Sequence, residues 1–279
     1  MELGHDGRHR PTKAIENSET PRILSDVSLE RSKHDVESEE GAADASWKLI
    51  WARRRPLREG GTVLGRLLSA DGYDTAYGRV TEQAWTEFVR SKILKLGART
   101  DMSVYDVGCG AGAFIYDLYT SGFTVGGIDQ SAVLINEARM YMPDGEFQVG
   151  DATEIDISQK FDIVLSCGAF LYFSTLEYAE TVVNLMVAKA RHAVALLDLP
   201  DRALRDAELK ERQAALGGEE AYAHHYRGLA HLHFDRDWVS NKLIRSGLTD
   251  VEVEGQQVQG YRNGKYRFNA WGFKPDPER

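Results

Sequence analysis

The sequence predicts a doubly wound α/β fold with a mostly parallel sheet, and three observations carry that prediction. Short apolar strand patterns alternate with helical ones from Ser103 to Leu199, as in sheets covered by helices on both faces. The run Gly108-Cys109-Gly110-Ala111-Gly112 falls between the first strand and the helix after it, a turn that needs backbone freedom. Two further strand patterns, Val251–Val258 and Lys265–Phe273, flank Asn263-Gly264, which reads as a tight turn joining an antiparallel pair.

Taken in order, residues 1–45 are charged, rich in Ser, Thr and Glu, and lack aromatic side chains. They read as a disordered tail, with too little apolar surface to offset the entropy of ordering. Residues 46–98 read as a helical N-terminal cap. It opens on Trp47-Lys48-Leu49-Ile50-Trp51-Ala52-Arg53-Arg54-Arg55, a helix expected to pack its tryptophans and solvate its arginines. The glycine- and tyrosine-rich Asp71–Gly78 reads as a loop. A helix over 81–96 follows, capped by Thr81 and stopped by Gly97.

Residues 99–279 form the α/β domain. Strands are expected at Val104–Val107, Thr124–Ile128, Glu146–Val149, Phe161–Ser166 and Ala193–Leu199. Helices are expected at Gly112–Thr120 and around 131–142. Ser174 with Glu177 reads as a capping box opening a further helix, with Leu176, Ala179, Val183, Met186 and Ala190 along one stripe. After Pro200 the alternation is interrupted by an inserted lid at about 202–234. Its first half, 202–216, reads as a charged exposed helix, and Ala221–Phe234 as a His- and Tyr-rich loop. Asp235 is placed to cap a last helix ending before Gly247.

Bulk properties restrict the function. The 279 residues suit one sizeable domain with extensions. The formal charge of −9 makes duplex nucleic acid an unsuitable partner. Two distant cysteines, Cys109 and Cys167, fit a reducing cytosol and no disulfide framework. No secretory h-region and no membrane-spanning apolar run is found, so a soluble cytoplasmic protein is expected.

Three signals fall at the carboxyl ends of successive strands, where open α/β sheets bind ligands. The glycine run permits close backbone approach, and the helix start beyond it offers N–H groups to a carboxylate. Asp129 directly follows the second strand, about twenty residues past the glycines, placed for ribose hydroxyls. Asp151, with Ala152, follows the third strand and can accept a bond from an adenine amino group. A glycine run alone also suits a structural turn or a dinucleotide, because Ala113 satisfies the looser GxGxx(G/A) form.

In this register the chain resembles class I S-adenosylmethionine-dependent methyltransferases. The matching residues are Asp106 through Gly112, Asp129, Asp151-Ala152 and Phe161 through Ser166. The resemblance implies seven strands with the last antiparallel, and S-adenosyl-L-methionine as cofactor. It implies that Gly108 through Gly112, with Gly108, Gly110 and Gly112 as the contacts, serve the methionine end, Asp129 the ribose and Asp151 the adenine ring, with Asp106 and Ala152 also binding the cofactor. Ser166 and Tyr77 are expected beside them. A looser likeness to small-molecule methyltransferases of bacterial polysaccharide and natural-product pathways rests on Asp71–Thr81, His225-Tyr226 through Phe234, and Tyr266-Arg267-Phe268-Asn269. The segment Ser166–Phe173 lacks an Asn/Asp-Pro-Pro-Tyr/Phe arrangement and suits the floor of a small-molecule pocket.

The expected reaction is O-methylation of a small molecule such as a sugar or secondary metabolite. N- or C-methylation is the alternative, and a dinucleotide-dependent oxidoreductase the competitor from another class. A hydroxyl acceptor needs a base, and His225 and His231 in the lid are the first candidates. Asp198 and Asp201 are carboxylates that could orient the acceptor, although Asp201 can equally cap the next helix. No metal site is expected.

Overall fold

The computed structural model describes residues 47–54, 61–74 and 79–275. The expected tail 1–45 and Tyr77 lie outside the described residues. Three helices lead in: α1 (Trp47–Arg53), α2 (Val63–Ala70) and α3 (Glu82–Lys95). Thr81 caps α3 by accepting from the Ala84 amide, as its sequence suggests. The α/β core then runs β1 (Ser103–Val107), α4 (Ala113–Thr120), β2 (Thr124–Asp129), α5 (Ala132–Tyr141), β3 (Glu146–Val149), β4 (Phe161–Cys167), α6 (Leu176–Lys189) and β5 (Ala190–Pro200). The chain closes through α7 (Arg205–Ala215), α8 (Glu219–His225), α9 (Arg236–Arg245), β6 (Thr249–Gly255) and β7 (Arg267–Phe273).

The seven strands lie in the order β3-β2-β1-β4-β5-β7-β6. β7 runs antiparallel to both β5 and β6, and the other pairings are parallel. This is the expected sheet. Its centre is buried on both faces, and Ala193 to Leu197 are at most 1% exposed. That explains why β5 reads as a continuous apolar run instead of an alternating one. The edge strands are polar: Glu146 and Gln148 on β3, and Asp250 and Glu252 on β6, face solvent, which discourages pairing with other chains. Leu67, Trp85, Phe88, Ile115 and Leu134 pack on one face. Val183, Met186, Val239 and Leu243 pack on the other.

Four local expectations are corrected. The N-cap of α6 is Thr175, which accepts from the Tyr178 amide, and Ser174 lies one residue outside. The true reciprocal capping box is Asp151 with Glu154, at the short 3-10 turn after β3. Asn263-Gly264 does not form a two-residue hairpin turn. It sits in a 3-10 turn, Arg262–Tyr266, within the longer connection 256–266, and Asn263 is buried. The segment 221–234 is only partly loop, because α8 runs through His225. Arg54 is not solvated: its guanidinium donates to the carbonyls of Ala70 (2.7 Å) and Ser69 (2.6 Å) and tethers α1 to the end of α2. Replacing Thr175 with alanine should cost about 1 kcal/mol, seen as a lower melting temperature, whereas Ser174→Ala should change it by only a few tenths of that.

Between β1 and β4 the strand order reverses direction, so the helices following these strands diverge to opposite faces. The crevice this leaves at the carboxyl ends of the strands is where a ligand can enter the sheet.

Candidate active site

A cavity of about 600 Å³ fills that crevice, within the roughly 300–1,000 Å³ usual for small-molecule sites. Each strand end contributes to it: Gly108, Cys109 and Gly110 after β1, Asp129 and Gln130 after β2, Gly150, Asp151 and Ala152 after β3, and Cys167 and Gly168 after β4. Trp47, Trp51, Tyr73, Tyr172 and His231 enclose it from elements outside the sheet. Gly108 and Gly110 hold φ values of 75° and 55°, which side-chain-bearing residues rarely adopt. A Cβ on Gly108 would lie 2.4 Å from that of Ala169.

The carboxylates have distinct settings. Asp129 accepts from the amides of Gly110 (2.9 Å) and Ser131 (2.8 Å), so it braces the glycine turn against the start of α5. Burial raises its pKa, and those two amides oppose the rise. Asp151 accepts from the Thr153 amide and hydroxyl and from the Tyr178 hydroxyl (2.5 Å). Burial works to raise its pKa, but these bonds and the charge of Lys48 outweigh it and hold the group below its ordinary value. Asp106 is 2% exposed, its Oδ1 has no hydrogen-bond partner among the described residues, and burial pushes its pKa well up.

The start of α4 differs from expectation. Its amides are not open to an incoming carboxylate, because Asp71 already accepts from Ala111 N (2.6 Å) and Ala113 N (3.0 Å). Desolvation raises the Asp71 pKa to about 7, against the pull of those amides and of Arg54. Three carboxylates, those of Asp71, Asp106 and Asp129, therefore surround the glycine turn, an environment that favours a cation.

Other expected residues separate. Gly112 caps α4 with φ of 90°, and the Cβ it lacks would meet Met142 Cε at 2.4 Å, so its role is packing behind the turn. Ser166 does not reach the cavity. Its hydroxyl donates to the Val107 carbonyl (2.7 Å) and ties β4 to β1, leaving Cys167 and Gly168 at the wall. Asp201 caps the turn after β5 and pairs with Arg236 at 2.7 Å, which is the capping alternative. His225 is exposed on α8, against Tyr226, and is not part of the wall. His231 is in the wall, stacked on Trp47 at 4.6 Å between ring centroids. Its Nδ1 lies 3.5 Å from Arg212 Nη1. Burial first, and then Arg212 and Arg267, hold its pKa well below the ordinary value.

Asp198 lies in β5 beside Gly168, where the register with β7 shifts, and has a left-handed backbone, φ of 61°. A Cβ on Gly168 would lie 2.8 Å from the Tyr73 hydroxyl and 3.7 Å from Asp198 Oδ2. Asp198 Oδ2 accepts from the Tyr261 hydroxyl (2.9 Å) and Oδ1 from Gln256 (3.0 Å). The sequence reading missed Asp71 and Tyr73 as site residues, although both stand in the loop it singled out. Among the described residues no cluster of metal-ligating side chains is present, and no helix is long and apolar enough to cross a membrane.

Comparison with known proteins agrees with this geometry. Residues 104–188 match the methyltransferase domain family. A protein of Geobacillus sp. (strain WCH70) named as a methyltransferase is 30% identical over 105 residues, 36% of this chain. That match spans about two fifths, 42%, of the relative's length. Among solved structures, the magnesium protoporphyrin IX methyltransferase of Synechocystis PCC 6803, with bound SAH, is 16% identical with a TM-score of 0.51, covering 78% of this chain and 90% of its own. The N-methyltransferase NodS of Bradyrhizobium japonicum WM9, in complex with S-adenosyl-L-homocysteine, is 18% identical with a TM-score of 0.52, covering 76% and 97%. DesVI of Streptomyces venezuelae is 18% identical with a TM-score of 0.53, covering 74% and 98%. At these identities the likeness establishes the fold.

Proposed function

We propose that this chain, which carries a methyltransferase domain over residues 104–188, is an S-adenosylmethionine-dependent methyltransferase of a small molecule, with a hydroxyl as the first choice of acceptor. One observation carries the reading. The glycine turn, Asp129 and Asp151, at the ends of three consecutive strands, line a single cavity.

The residues present suit the cofactor. Asp106 offers a buried carboxylate oxygen without a partner among the described residues, and with Asp71 it faces the position where a cationic methionine end would be received. The glycine turn leaves room for close approach, Asp129 is set for ribose hydroxyls and Asp151 with Ala152 for the adenine edge. When bound, the cofactor supplies an activated sulfonium methyl group. The chain's own residues then have to align an acceptor, exclude water and take a proton. We assign the cover to α1 and to residues 228–232, because Trp47 Nε1 donates to the Ala230 carbonyl (2.8 Å) and Ser131 Oγ to the Trp51 carbonyl (3.1 Å).

Of the two histidines first considered for the base, His231 alone borders the cavity. With Arg212 donating toward Nδ1, the ring carries its proton on Nε2 and presents a donor. It therefore orients an acceptor oxygen instead of deprotonating it. We assign the proton-accepting role to Asp198, which lies in β5 directly behind the wall residue Gly168 and is not itself in the wall.

Calorimetry tests the reading: S-adenosylmethionine and its demethylated product should bind with micromolar affinity, about −8 kcal/mol, and NAD should not. Asp129→Ala should weaken binding by roughly 1.5–3 kcal/mol. Tight NAD binding without response to the sulfonium compound would point to the oxidoreductase instead.

The pH dependence has a definite sign. A protonated Asp71 cannot pair with a cation, so binding below pH 7 must expel a proton. Affinity should fall as pH drops through and below 7. The ligand-free protein carries the opposite linkage. Because the folded pKa of Asp71, about 7, exceeds its ordinary 3.8, the stability this group contributes is full below about pH 4 and lost as pH rises through 7. Calorimetric titrations from pH 6 to 7.5 check the first slope, and Asp71→Asn should flatten it.

A further inference from the structure

The motif Tyr266-Arg267-Phe268-Asn269 has no place in cofactor binding, yet it holds a deeply buried cation. Arg267 opens β7 opposite Pro200 at the end of β5 and is 3% exposed. Its Nη2 donates to Glu208 Oε1 (3.1 Å), and its Nε and Nη1 have no hydrogen-bond partner among the described residues. Arg212 approaches the same Glu208 oxygen at 3.1 Å, and its Nε is likewise without a partner. His233 Nε2 takes up the other Glu208 oxygen at 2.9 Å.

One carboxylate thus serves two guanidiniums and an imidazole. The charged and polar groups that act on Arg267 are Asp198, Glu208 and the hydroxyls of Tyr261 and Tyr172. The Asp198 oxygens are already engaged by Tyr261 and Gln256. A guanidinium presents five donors in a fork matched to carboxylate or phosphate, and burying charged donors without acceptors is costly. Tyr172 and His231, which border the cavity, form the partition between it and the two arginines: His231 Nδ1 faces Arg212, and Tyr172 feels both guanidiniums.

We propose that the methyl acceptor is a hydroxylated anion whose carboxylate or phosphate docks on Arg267, with Arg212 beside it. This rests on the methyltransferase reading and adds the substrate's charge to it. The anionic group is held behind Tyr172 and His231, which leaves the acceptor hydroxyl on the Asp198 and Gly168 side, facing the methionine end of the cofactor site. Arg267 is a positioning residue. It selects and orients the acceptor and does not enter the bond change.

The test uses the full chain loaded with S-adenosylhomocysteine and labelled with ¹⁵N on arginine, titrated separately with inorganic phosphate and with acetate. The Arg267 Nε–H resonance, assigned by its loss in Arg267→Lys, should shift saturably with a dissociation constant of about 1–10 mM. Whichever anion shifts it more identifies the group recognised. Arg212→Lys provides a second variant if Arg267→Lys does not fold, and its Nε–H resonance should respond in parallel. A labelled-methyl screen pairing hydroxy acids and phosphorylated alcohols with their neutral esters should show turnover only with the anions, and Arg267→Lys should raise KM at least about tenfold with kcat changed little. Retained S-adenosylhomocysteine binding with no shift from either anion overturns the proposal and leaves the methyltransferase reading intact. Equal turnover of neutral and anionic partners overturns it too. Failure to bind S-adenosylhomocysteine overturns both.

Discussion

Asparagine in place of Asp198 is expected to lower turnover by about 10²–10⁴-fold while cofactor affinity stays within about twofold. The variant is a clean one. Asp198 holds φ of 61°, a conformation asparagine accepts more readily than most residues. The amide oxygen can still accept from Tyr261, whose hydroxyl stands 2.9 Å from the carboxylate. The variant loses the ability to take a proton at neutral pH. His231→Gln should stay within about tenfold of the parent, because an amide N–H can replace the ring's Nε2–H as donor. Measured kcat for the two variants, beside calorimetry with S-adenosylhomocysteine, separates the assignments. A large loss in His231→Gln with little in Asp198→Asn would return the base to the histidine.

The second large effect is on binding. Gly108→Ala should weaken S-adenosylmethionine by at least about a hundredfold, roughly 2.7 kcal/mol. Two costs combine. The backbone at φ of 75° is strained for any L side chain. The added methyl would also lie 2.4 Å from the Ala169 Cβ, and that atom is fixed to its backbone and cannot swing aside. Relief has to come from the turn itself, which carries Gly110 N and its 2.9 Å bond to Asp129. Adding Ala169→Gly removes the clash but keeps the strain, so the double variant should recover part of the affinity. Full recovery would show that crowding alone matters, and no recovery that the backbone angle dominates. Circular dichroism and melting of each variant show whether the fold is kept.

These assignments mark where sequence reading reached and where it stopped. The strands were legible because buried parallel strands announce themselves as short apolar runs, and Asp129 and Asp151 could be placed because each directly follows one. Asp71 was not, since its bond to Ala111 spans 40 residues and depends on how α2 packs on α4, which no local pattern encodes. The histidines were read as one loop, but α8 continues through His225 and carries it to the surface, whereas the extended stretch after it turns His231 inward. Serine and threonine cap equally well, so the choice of Thr175 over Ser174 waits on how α6 seats against the sheet. Ser166 and Cys167 differ by one position in an alternating strand, and a single residue decides which of them meets the cavity.

Three of the chain's five tryptophans, Trp47, Trp51 and Trp85, stand in the cavity wall. Indole emission responds to the polarity and stacking around the ring. A ligand entering between the strand ends replaces water beside most of the chromophores at once. Trp271, 2% exposed in the core, and Trp238, packed on Phe234, contribute a steady background. The protein is in this sense self-labelled. Occupancy of its own crevice registers as a change in ultraviolet fluorescence, fast enough to follow filling and emptying in a stopped-flow instrument without any attached dye.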